Sequence, residues 1–337
     1  MTSAVDPRSR RRALRGLAAL ALPPLAPTLL SAPARAEAVW PTRPVTLVVA
    51  FAPGGPNDVM ARILAARLST QLGQQVLVEN RPGAGGTIGT AAVAKAPADG
   101  HTLLFNSAPF VTAPALYGSK LTFDTLNDFT GITRVAQSPI VALAPVGSRH
   151  ASLKALVAAA RAEPDRYNFG SGGAASTSHL AAALLESQAG IRLQHIPYKG
   201  GGQAITALLG GEIDLLIDSI ATGGSFLAAG KVRALAVSGT RRLARLPDVP
   251  TFAEAGLPDY LMVHWVGLSA PARTPVAVLD RLHREVTRAL GHDEVKARLA
   301  DIGAEPAPTS REQFDAFLHQ EVARWSRVIR DARITPD

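Results

Sequence analysis

Residues 45–64 read VTLVVAFAPGGPNDVMARIL, and this order of residue types decides the fold class. The β-branched run at 45–50 is typical of a buried strand, and the glycine pair Gly54-Gly55 is typical of the loop that follows it. Asp58 then precedes apolar residues at helical spacing, so we expect it to cap a helix. A strand, a glycine-rich loop and a helix in this order are the unit from which parallel sheets are built.

The same alternation of short apolar runs and helical patterns continues along the chain and predicts an α/β protein whose mainly parallel sheets are flanked by helices. Two C-terminal helices have clear start signals, since Thr274-Pro275 is typical of a cap with proline in the first turn and Ser310 with Gln313 forms a capping box. The predicted strands are 45–50, 76–79, 102–105, 140–144, 167–170, 193–196, 213–218, 232–237 and 263–269.

The N-terminal segment has the features of a secretory signal. A basic cluster at 8–12, an apolar stretch at 13–30 and the small-residue motif Ala34-Arg35-Ala36 predict cleavage near Ala36 and export to the periplasm. Residues 9–15, SRRRALR, also resemble the twin-arginine export consensus. We therefore treat residues 1–36 as a signal peptide, with the twin-arginine and general export routes both open.

The length that remains after residue 36 indicates two domains. No flexible linker is visible, so the two lobes should be joined by ordered crossings near 140–146 and 263–270. This predicts a discontinuous first lobe at 37–143 and 262–337, with a second lobe at 144–261.

Charge and composition exclude several function classes. The chain has a formal net charge of +8, of which residues 1–36 contribute +5 through six Arg and one Asp, leaving +3 for the remainder. That value and the absence of an aromatic-interleaved basic patch exclude nucleic-acid binding. The chain has no Cys and its 8 His have no metal-ligand spacing, so we expect neither a metal nor another cofactor.

Three glycine-rich loops at predicted strand ends are the candidate site. They are 51–58 (FAPGGPND), 80–87 (NRPGAGGT) and 169–179 (FGSGGAASTSH), and each leads into a helix. Ligands of open parallel sheets bind beyond the carboxyl ends of the strands, where helix N-termini offer backbone N–H groups to an anion. His179, in the first turn of its helix, and Asp218, at the end of the strand at 213–218, are further candidates.

Enzyme motifs are incomplete. The loop at Gly83–Gly86 has Ile88 where a dinucleotide-binding loop needs its third glycine, and Ser171 lacks the context of a hydrolase nucleophile. We therefore predict a binding protein with no catalytic residues. An NAD-dependent dehydrogenase that holds pyrophosphate at Gly83–Gly86 is kept as an alternative.

Several longer motifs resemble those of a known family. They are residues 51–55 (FAPGG) with 58–62 (DVMAR), 78–86 (VENRPGAGG), 195–200 (HIPYKG) and 246–251 (LPDVPT). In this order they are similar to the Bug family, the TctC-like substrate-binding receptors of tripartite tricarboxylate transporters. The resemblance covers essentially all of the chain after the signal segment.

The resemblance implies a two-lobed type II periplasmic binding protein fold that closes on a small organic carboxylate. By position, the carboxylate would be held by Phe51, Gly54, Gly55, Gly86 and Thr87, with Ser107 alongside. The variable end of the ligand would be read by Ser171, Ser176 and Asp218. Gly172, Ala174 and Ala175 depart from the usual residues of that second loop, which leaves the acid itself open.

The expected function is therefore capture of a dicarboxylate, tricarboxylate, amino acid or aromatic acid by a monomer. The implied partners are the membrane permease subunits of a tripartite tricarboxylate transporter. An alternative is a sensor whose liganded form docks on a membrane signalling protein.

Overall fold

The computed structural model describes residues 40–174, 176–260, 262–331 and 334–335. The predicted signal peptide at 1–36 lies outside these residues. Among the helices described, none is long and apolar enough to cross a membrane.

The predicted alternation of strands and helices is present. Within the described residues the strands are β1 (Val45–Val49), β2 (Val76–Asn80), β3 (Thr102–Ser107), β4 (Phe129–Pro145), β5 (Asn168–Ser171), β6 (Gln194–Pro197), β7 (Leu215–Ser219), β8 (Val232–Val237), β9 (Val263–Pro271) and β10 (Glu305–Pro306). The helices are α1 (Pro56–Leu72), α2 (Thr87–Ala94), α3 (Ala108–Tyr117), α4 (Leu153–Ala162), α5 (Thr177–Ala189), α6 (Gly201–Gly210), α7 (Ile220–Ala228), α8 (Val276–Leu290), α9 (Asp293–Asp301) and α10 (Arg311–Asp331).

The first sheet contains the N-terminal strands and the C-terminal crossing strand. β1 pairs in parallel with β2 and β3, and β3 then pairs antiparallel with β9. β9 pairs antiparallel with the first part of β4, from Phe129 to Pro139, and β10 pairs with the same part of β4. The α/β class is confirmed. The first sheet has a parallel part, β2-β1-β3, to which β9 and β4 add antiparallel strands.

The second sheet is built on the other end of β4. Residues 140–143 of β4 pair antiparallel with β7, and residues 141–145 pair with β8. β5 lies between β6 and β7 and is parallel to both. Backbone pairing therefore passes from one sheet to the other at Pro139 and Ile140, while every pairing of β9 is in the first sheet. The lobe boundaries at 143 and 262 stay a prediction.

Helices cover the sheets through apolar faces. In α1, Met60 and Leu64 are buried in one core cluster with Leu47 of β1 and Leu282 of α8. In the second sheet, Ile205 and Leu208 of α6 belong to the core with Leu216 of β7. These helices fix the positions of the strand ends, because their buried apolar side chains are packed closely against the sheets.

The start signals of the helices were predicted with mixed success. The capping box is confirmed, since the Gln313 backbone N–H donates to Ser310 Oγ at 3.1 Å and the Ser310 N–H donates to Gln313 Oε1 at 3.0 Å. The cap at Thr274 was wrong: Pro275 is the capping residue of α8, and Thr274 Oγ1 instead donates to the Pro271 carbonyl at 2.7 Å.

Asp58 was also wrong as a cap. It lies inside the first turn of α1, because Gly55 is the capping residue and Pro56 begins the helix. Proline is favoured at this first helical position, where its missing N–H costs no helical hydrogen bond.

Candidate functional site

A cleft lies where the ends of the two sheets meet, and it is lined by residues of both. The first wall consists of Phe51 and Gly55–Asp58, which follow β1, and Ser107, which ends β3. The second wall consists of Gly172, Ser176–Ser178, Gly200, Gly201 and Asp218 from the second sheet, together with His264 of β9. The cavity within this lining is about 40 Å³ in this conformation, so the two walls would have to separate to admit a ligand larger than a few water molecules.

Four helices begin at this cleft. Their capping residues are Gly55 of α1, Ser107 of α3, Ser176 of α5 and Gly200 of α6, and all four line it. The first backbone N–H groups of a helix lack partners within the helix and carry a positive partial charge. A convergence of helix N-termini is thus present in the described residues, but the glycine-rich loop at 80–87 does not line the cleft, and the starts of α3 and α6 do so together with the other two loops.

The loop of the first wall is held by the carboxylate of Asp58. Its Oδ2 accepts the Gly54 N–H at 3.0 Å, and its Oδ1 accepts Asn80 Nδ2 at 3.0 Å. Arg62, one turn further along α1, donates from Nε to the same group at 3.0 Å. Gly54 has φ +83, a conformation that side chains disfavour. Asp58 therefore fixes the shape of this loop.

The environment of Asp58 stabilises its charged form. Burial alone would raise the pKa of the carboxyl, but the hydrogen bonds from Arg62, Gly54 and Asn80 outweigh it and hold the pKa below its ordinary value. The first wall therefore contains a negative charge that the protein itself has already neutralised.

The polar pair beside this loop is Asn57 and Ser107. Asn57 Nδ2 donates to Ser107 Oγ at 2.9 Å, and both side chains are buried. Among the described residues, Asn57 Oδ1 has no hydrogen-bond partner. A buried amide oxygen without a partner is uncommon and needs an explanation such as a ligand or an ordered water.

The loop of the second wall is stabilised by serine hydroxyls. Ser178 Oγ accepts the Gly172 N–H at 2.9 Å and lies 3.0 Å from Ser176 Oγ. Ser176 Oγ also accepts the His179 N–H at 3.3 Å as the cap of α5. These contacts fix the glycine-rich loop with side-chain hydroxyls, where the first wall uses a carboxylate.

Asp218, at the end of β7, is buried without a cation. Its Oδ1 accepts the Ser219 N–H at 2.7 Å and its Oδ2 accepts Thr222 Oγ1 at 3.1 Å. No Lys or Arg within the described chain forms an ion pair with it. Burial raises the pKa of Asp218 to about 6, against the effect of those two hydrogen bonds.

His264 is a cleft residue that sequence reasoning missed. Its Nδ1 lies 3.2 Å from Thr177 Oγ1, and its Nε2 has no partner within the described residues. Burial lowers the pKa of His264 to about 4, so the imidazole is neutral near pH 7. The signal available was a single imidazole in the otherwise apolar start of β9, VHWVGL at 263–268.

The structure brings five of the predicted site residues to the cleft. They are Phe51, Gly55, Ser107, Ser176 and Asp218.

Three other predicted residues lie close to the first wall or beyond it. Gly54 is next to the lining, with its N–H held by Asp58. Gly86 lines a small neighbouring hollow with Phe51 and Ser107. Thr87 donates from Oγ1 to the Ala84 carbonyl at 2.9 Å and faces a groove beside α2.

The remaining two, Ser171 and His179, are behind the second wall. Ser171 is fully buried, with Oγ 2.6 Å from His195 Nε2. The His179 ring stacks on the His195 ring at 4.0 Å, and burial lowers the pKa of His179 to about 3. Both side chains are occupied by the core of the second sheet, and ligand contact by the predicted set remains a prediction.

Comparison with known proteins adds a family match. Residues 60–334 match the model of TctC, described as "Tripartite tricarboxylate transporter family receptor". A UPF0065 protein of Pseudomonas sp. (strain P51) is 39% identical over 326 residues, covering 96% of this chain and 95% of its own. Protein BugT of Bordetella pertussis is 36% identical over 304 residues, covering 90% of this chain and 93% of its own.

Solved structures agree with these matches. The Rhodopseudomonas palustris protein Rpa4515, solved with adipate, has a TM-score of 0.84 at 35% identity and covers 88% of this chain and 100% of its own. MatC of the same organism, solved with bound malate, has a TM-score of 0.82 at 34% identity and covers 86% of this chain and 100% of its own. The likeness extends over both sheets.

Proposed function

The chain belongs to the TctC-like tripartite tricarboxylate transporter receptor family, to which the Bug proteins also belong, and on that premise we propose that it captures a small organic carboxylate in the periplasm for uptake. The family is one of substrate-binding receptors. We propose binding without catalysis, followed by delivery to membrane permease subunits. The two relatives solved with adipate and malate support a carboxylate as the ligand class.

The observation that supports the proposal most is the meeting of four helix N-termini at one cleft. Among the described residues that line the cleft there is neither Lys nor Arg. An anion there would depend on backbone N–H groups and hydroxyls, and Asp58 has its own partners in Arg62 and Asn80. The first wall is thus ready to receive a negative charge without contributing an unpaired one.

The magnitudes allow such a site. Taking a carboxylate out of water costs several kcal/mol. A helix N-terminus returns up to about 2 kcal/mol, and each hydrogen bond to a charged group contributes roughly 1.5 to 3 kcal/mol. Two or three converging donors offset the cost, and further donors give net affinity.

Ligand-dependent stabilisation tests the proposal. A ligand present at about 100 times its dissociation constant should raise the free energy of unfolding by about 2.7 kcal/mol, which is a melting shift of several degrees. The protein should be unfolded and refolded to remove endogenous ligand, then melted with a panel of mono-, di- and tricarboxylates. Absence of a shift with every acid, in protein whose refolding is verified by circular dichroism, would contradict the proposal.

A matched pair of variants tests whether the ligand binds in the cleft. Ser107→Ala removes a hydroxyl of the first wall and should weaken binding of any acid that shifts the melting temperature. Ser310→Ala removes a hydroxyl of similar kind at the capping box of α10, away from the cleft. Equal losses of affinity in both variants would mean that the carboxylate binds elsewhere.

A further inference from the structure

The second wall has one end in which the hydrogen-bonding groups are incomplete, formed by Asp218 and His264 and called here the distal end. β7 and β9 lie on either side of β4, where Ser219 pairs with Ile140 and His264 pairs with Ser138. Ser219 Oγ donates to Ser138 Oγ at 2.9 Å, which links β7 to β4 at the point where β4 changes sheets. Asp218 and His264 are thus held on a buried part of the framework.

The carboxylate of Asp218 has acceptor capacity left over. An ionised carboxylate offers about four lone-pair sites, whereas the Ser219 N–H and the Thr222 hydroxyl use two of them. The residue is 4% exposed and lines the cleft. With its pKa raised by burial to about 6, the group carries a negative charge near neutral pH and has no cation to offset it in the described chain.

His264 presents a second incomplete group. It is 3% exposed, it lines the cleft, and its Nε2 lacks a partner among the described residues. When Thr177 Oγ1 donates to Nδ1, Nε2 carries the proton and is a donor. Its neutral imidazole cannot counter the charge of Asp218, because burial holds its pKa at about 4.

A second carboxylate on the ligand would be poorly accommodated at this end. It would bring one negative charge beside another in a cleft whose described lining lacks Lys and Arg. A hydroxyl, amide or ammonium group would instead donate to Asp218, and an amide or hydroxyl oxygen can also accept from His264 Nε2.

We propose that the cleft takes a monocarboxylate whose other end is a neutral or cationic hydrogen-bond donor, and that Asp218 and His264 select this end. The inference rests on the proposed function, since the ligand's carboxylate is assigned to the helix N-termini of the first wall. The two solved relatives hold diacids, whereas the proposed ligand has a single carboxylate. The inference also gives His264 a role in binding.

Calorimetric titration with acids of matched length tests the inference. The probes are succinate, succinamate, 4-hydroxybutyrate and 4-aminobutyrate, together with their homologues containing one and two further methylene groups. At the length that binds most tightly, one of the donor-ended acids should bind at least about tenfold more tightly than the diacid near neutral pH. Equal or tighter binding of the diacid would overturn the inference and leave the proposed function intact. Absence of binding by every probe, when another acid of the wider panel stabilises the protein, would overturn the inference alone, whereas absence of any stabilising acid would overturn the proposed function as well.

Two variants test whether the distal end determines the ligand selectivity. Asp218→Asn removes the charge at nearly constant shape, so the ratio of donor-ended acid to diacid affinity should fall by about tenfold or more. His264→Thr removes the imidazole and should lower the affinity for succinamate or its homologue more than the affinity for butyrate or its homologue, which has no polar group at that end. The ratio of two affinities in one variant is the readout, because a general loss of folding would lower both.

Asp315→Asn is the matched control for the charge change. Asp315 is a partly buried carboxylate that accepts the Gly131 N–H at 2.7 Å and lies outside the cleft. It should leave the affinity ratio at the wild-type value. A ratio unchanged in Asp218→Asn, or changed equally in Asp315→Asn, would show that Asp218 does not select the ligand.

Discussion

The two walls of the cleft treat a buried carboxylate in opposite ways. In the first wall, Asp58 receives hydrogen bonds from Gly54, Asn80 and Arg62, and its charge is neutralised within the protein. In the second wall, Asp218 receives two hydrogen bonds and no cation among the described residues. The environment lowers the pKa of the first carboxyl and raises that of the second.

This difference indicates that the two walls have separate roles in ligand binding. The carboxylate of the first wall is already satisfied, so this wall keeps one conformation and can hold a constant part of the ligand. A wall with unsatisfied groups discriminates, because a ligand that leaves a buried polar group unpaired loses affinity. We therefore expect substitutions in the first wall to affect stability and all ligands, and those in the second to affect the choice of ligand.

The largest effect should come from Asp58→Ala. The change removes hydrogen bonds to a charged group from three residues, each worth roughly 1.5 to 3 kcal/mol, and the half-exposed Arg62 contributes less than this, so the free energy of unfolding should fall by about 4 kcal/mol. Urea unfolding measures it. Asp280→Ala is the control, because Asp280 pairs with Arg311 at 2.6 Å with 49% of its side chain exposed and should cost at most about 1 kcal/mol. Equal losses in the two variants would contradict the view that Asp58 holds the first wall.

The second wall should be the acid-sensitive one. His179 and His264 have pKa values of about 3 and 4 in the folded protein, against about 6.5 unfolded, so the unfolded chain takes up protons first as the pH falls. Asp218 acts oppositely, since its raised pKa stabilises the folded state as the pH falls from 6 to 4. The two histidines outweigh it, and these groups together should lower the free energy of unfolding by about 3 kcal/mol between pH 6.5 and 4.

The slope of the free energy of unfolding against pH identifies the groups that cause the acid sensitivity. His179→Phe should make the loss between pH 6.5 and 4 clearly smaller whatever its effect at neutral pH. His319→Gln changes an exposed histidine and should leave the slope as it is. A slope that is the same in all three proteins would assign the acid sensitivity to other groups.

A smaller effect is expected at Gly86, which supports the first wall from behind. Gly86 has φ +92, and a Cβ there would lie 3.4 Å from Ala50 Cβ and 3.5 Å from the Phe51 ring. Gly86→Ala should cost about 1 to 2 kcal/mol because a side chain strains this left-handed backbone, and a shift of the loop that relieves the strain should weaken ligand binding. Gly73→Ala has the same kind of backbone strain at φ +65 with open space around it, so it should lower stability without changing affinity.

The smallest effect should come from Lys199→Ala. Lys199 follows the second sheet in the motif at 195–200, but its side chain is exposed and it does not line the cleft. Stability should change by less than about 0.5 kcal/mol, and carboxylate affinity should stay within about twofold. A larger loss of affinity would mean that the cleft extends to a cation and would weaken the contrast between the two walls.

Strand positions could be predicted because buried strands are short, apolar and bounded by glycines. The predicted strand at 232–237 coincides with β8, and that at 45–50 differs from β1 by one residue. The first part of β4 was missed, since residues 129–139 (FTGITRVAQSP) mix polar and apolar types. Its extended form comes from pairing with β9, a long-range interaction that local patterns do not report.

Individual site residues were harder to predict than the fold. Glycines mark loops, and the loops at 51–58 and 169–179 do reach the cleft. The direction of a side chain at a strand end depends on register, so Asp218 could be placed at the cleft while Ser171 turned toward His195. His264 was missed because nothing near it in sequence marks a site; its hydrogen-bond partner Thr177 and the other lining residues of the cleft come from distant segments.

A single stretch of backbone, β4, belongs to both sheets, with Pro139 and Ile140 as the point of transfer. Unfolding of either sheet would break its pairing with β4 and expose unpaired backbone N–H and C=O groups at the edge of the other sheet. The halves should therefore gain and lose order together, and neither can be exchanged as an independent module between relatives unless the recipient rebuilds the shared strand.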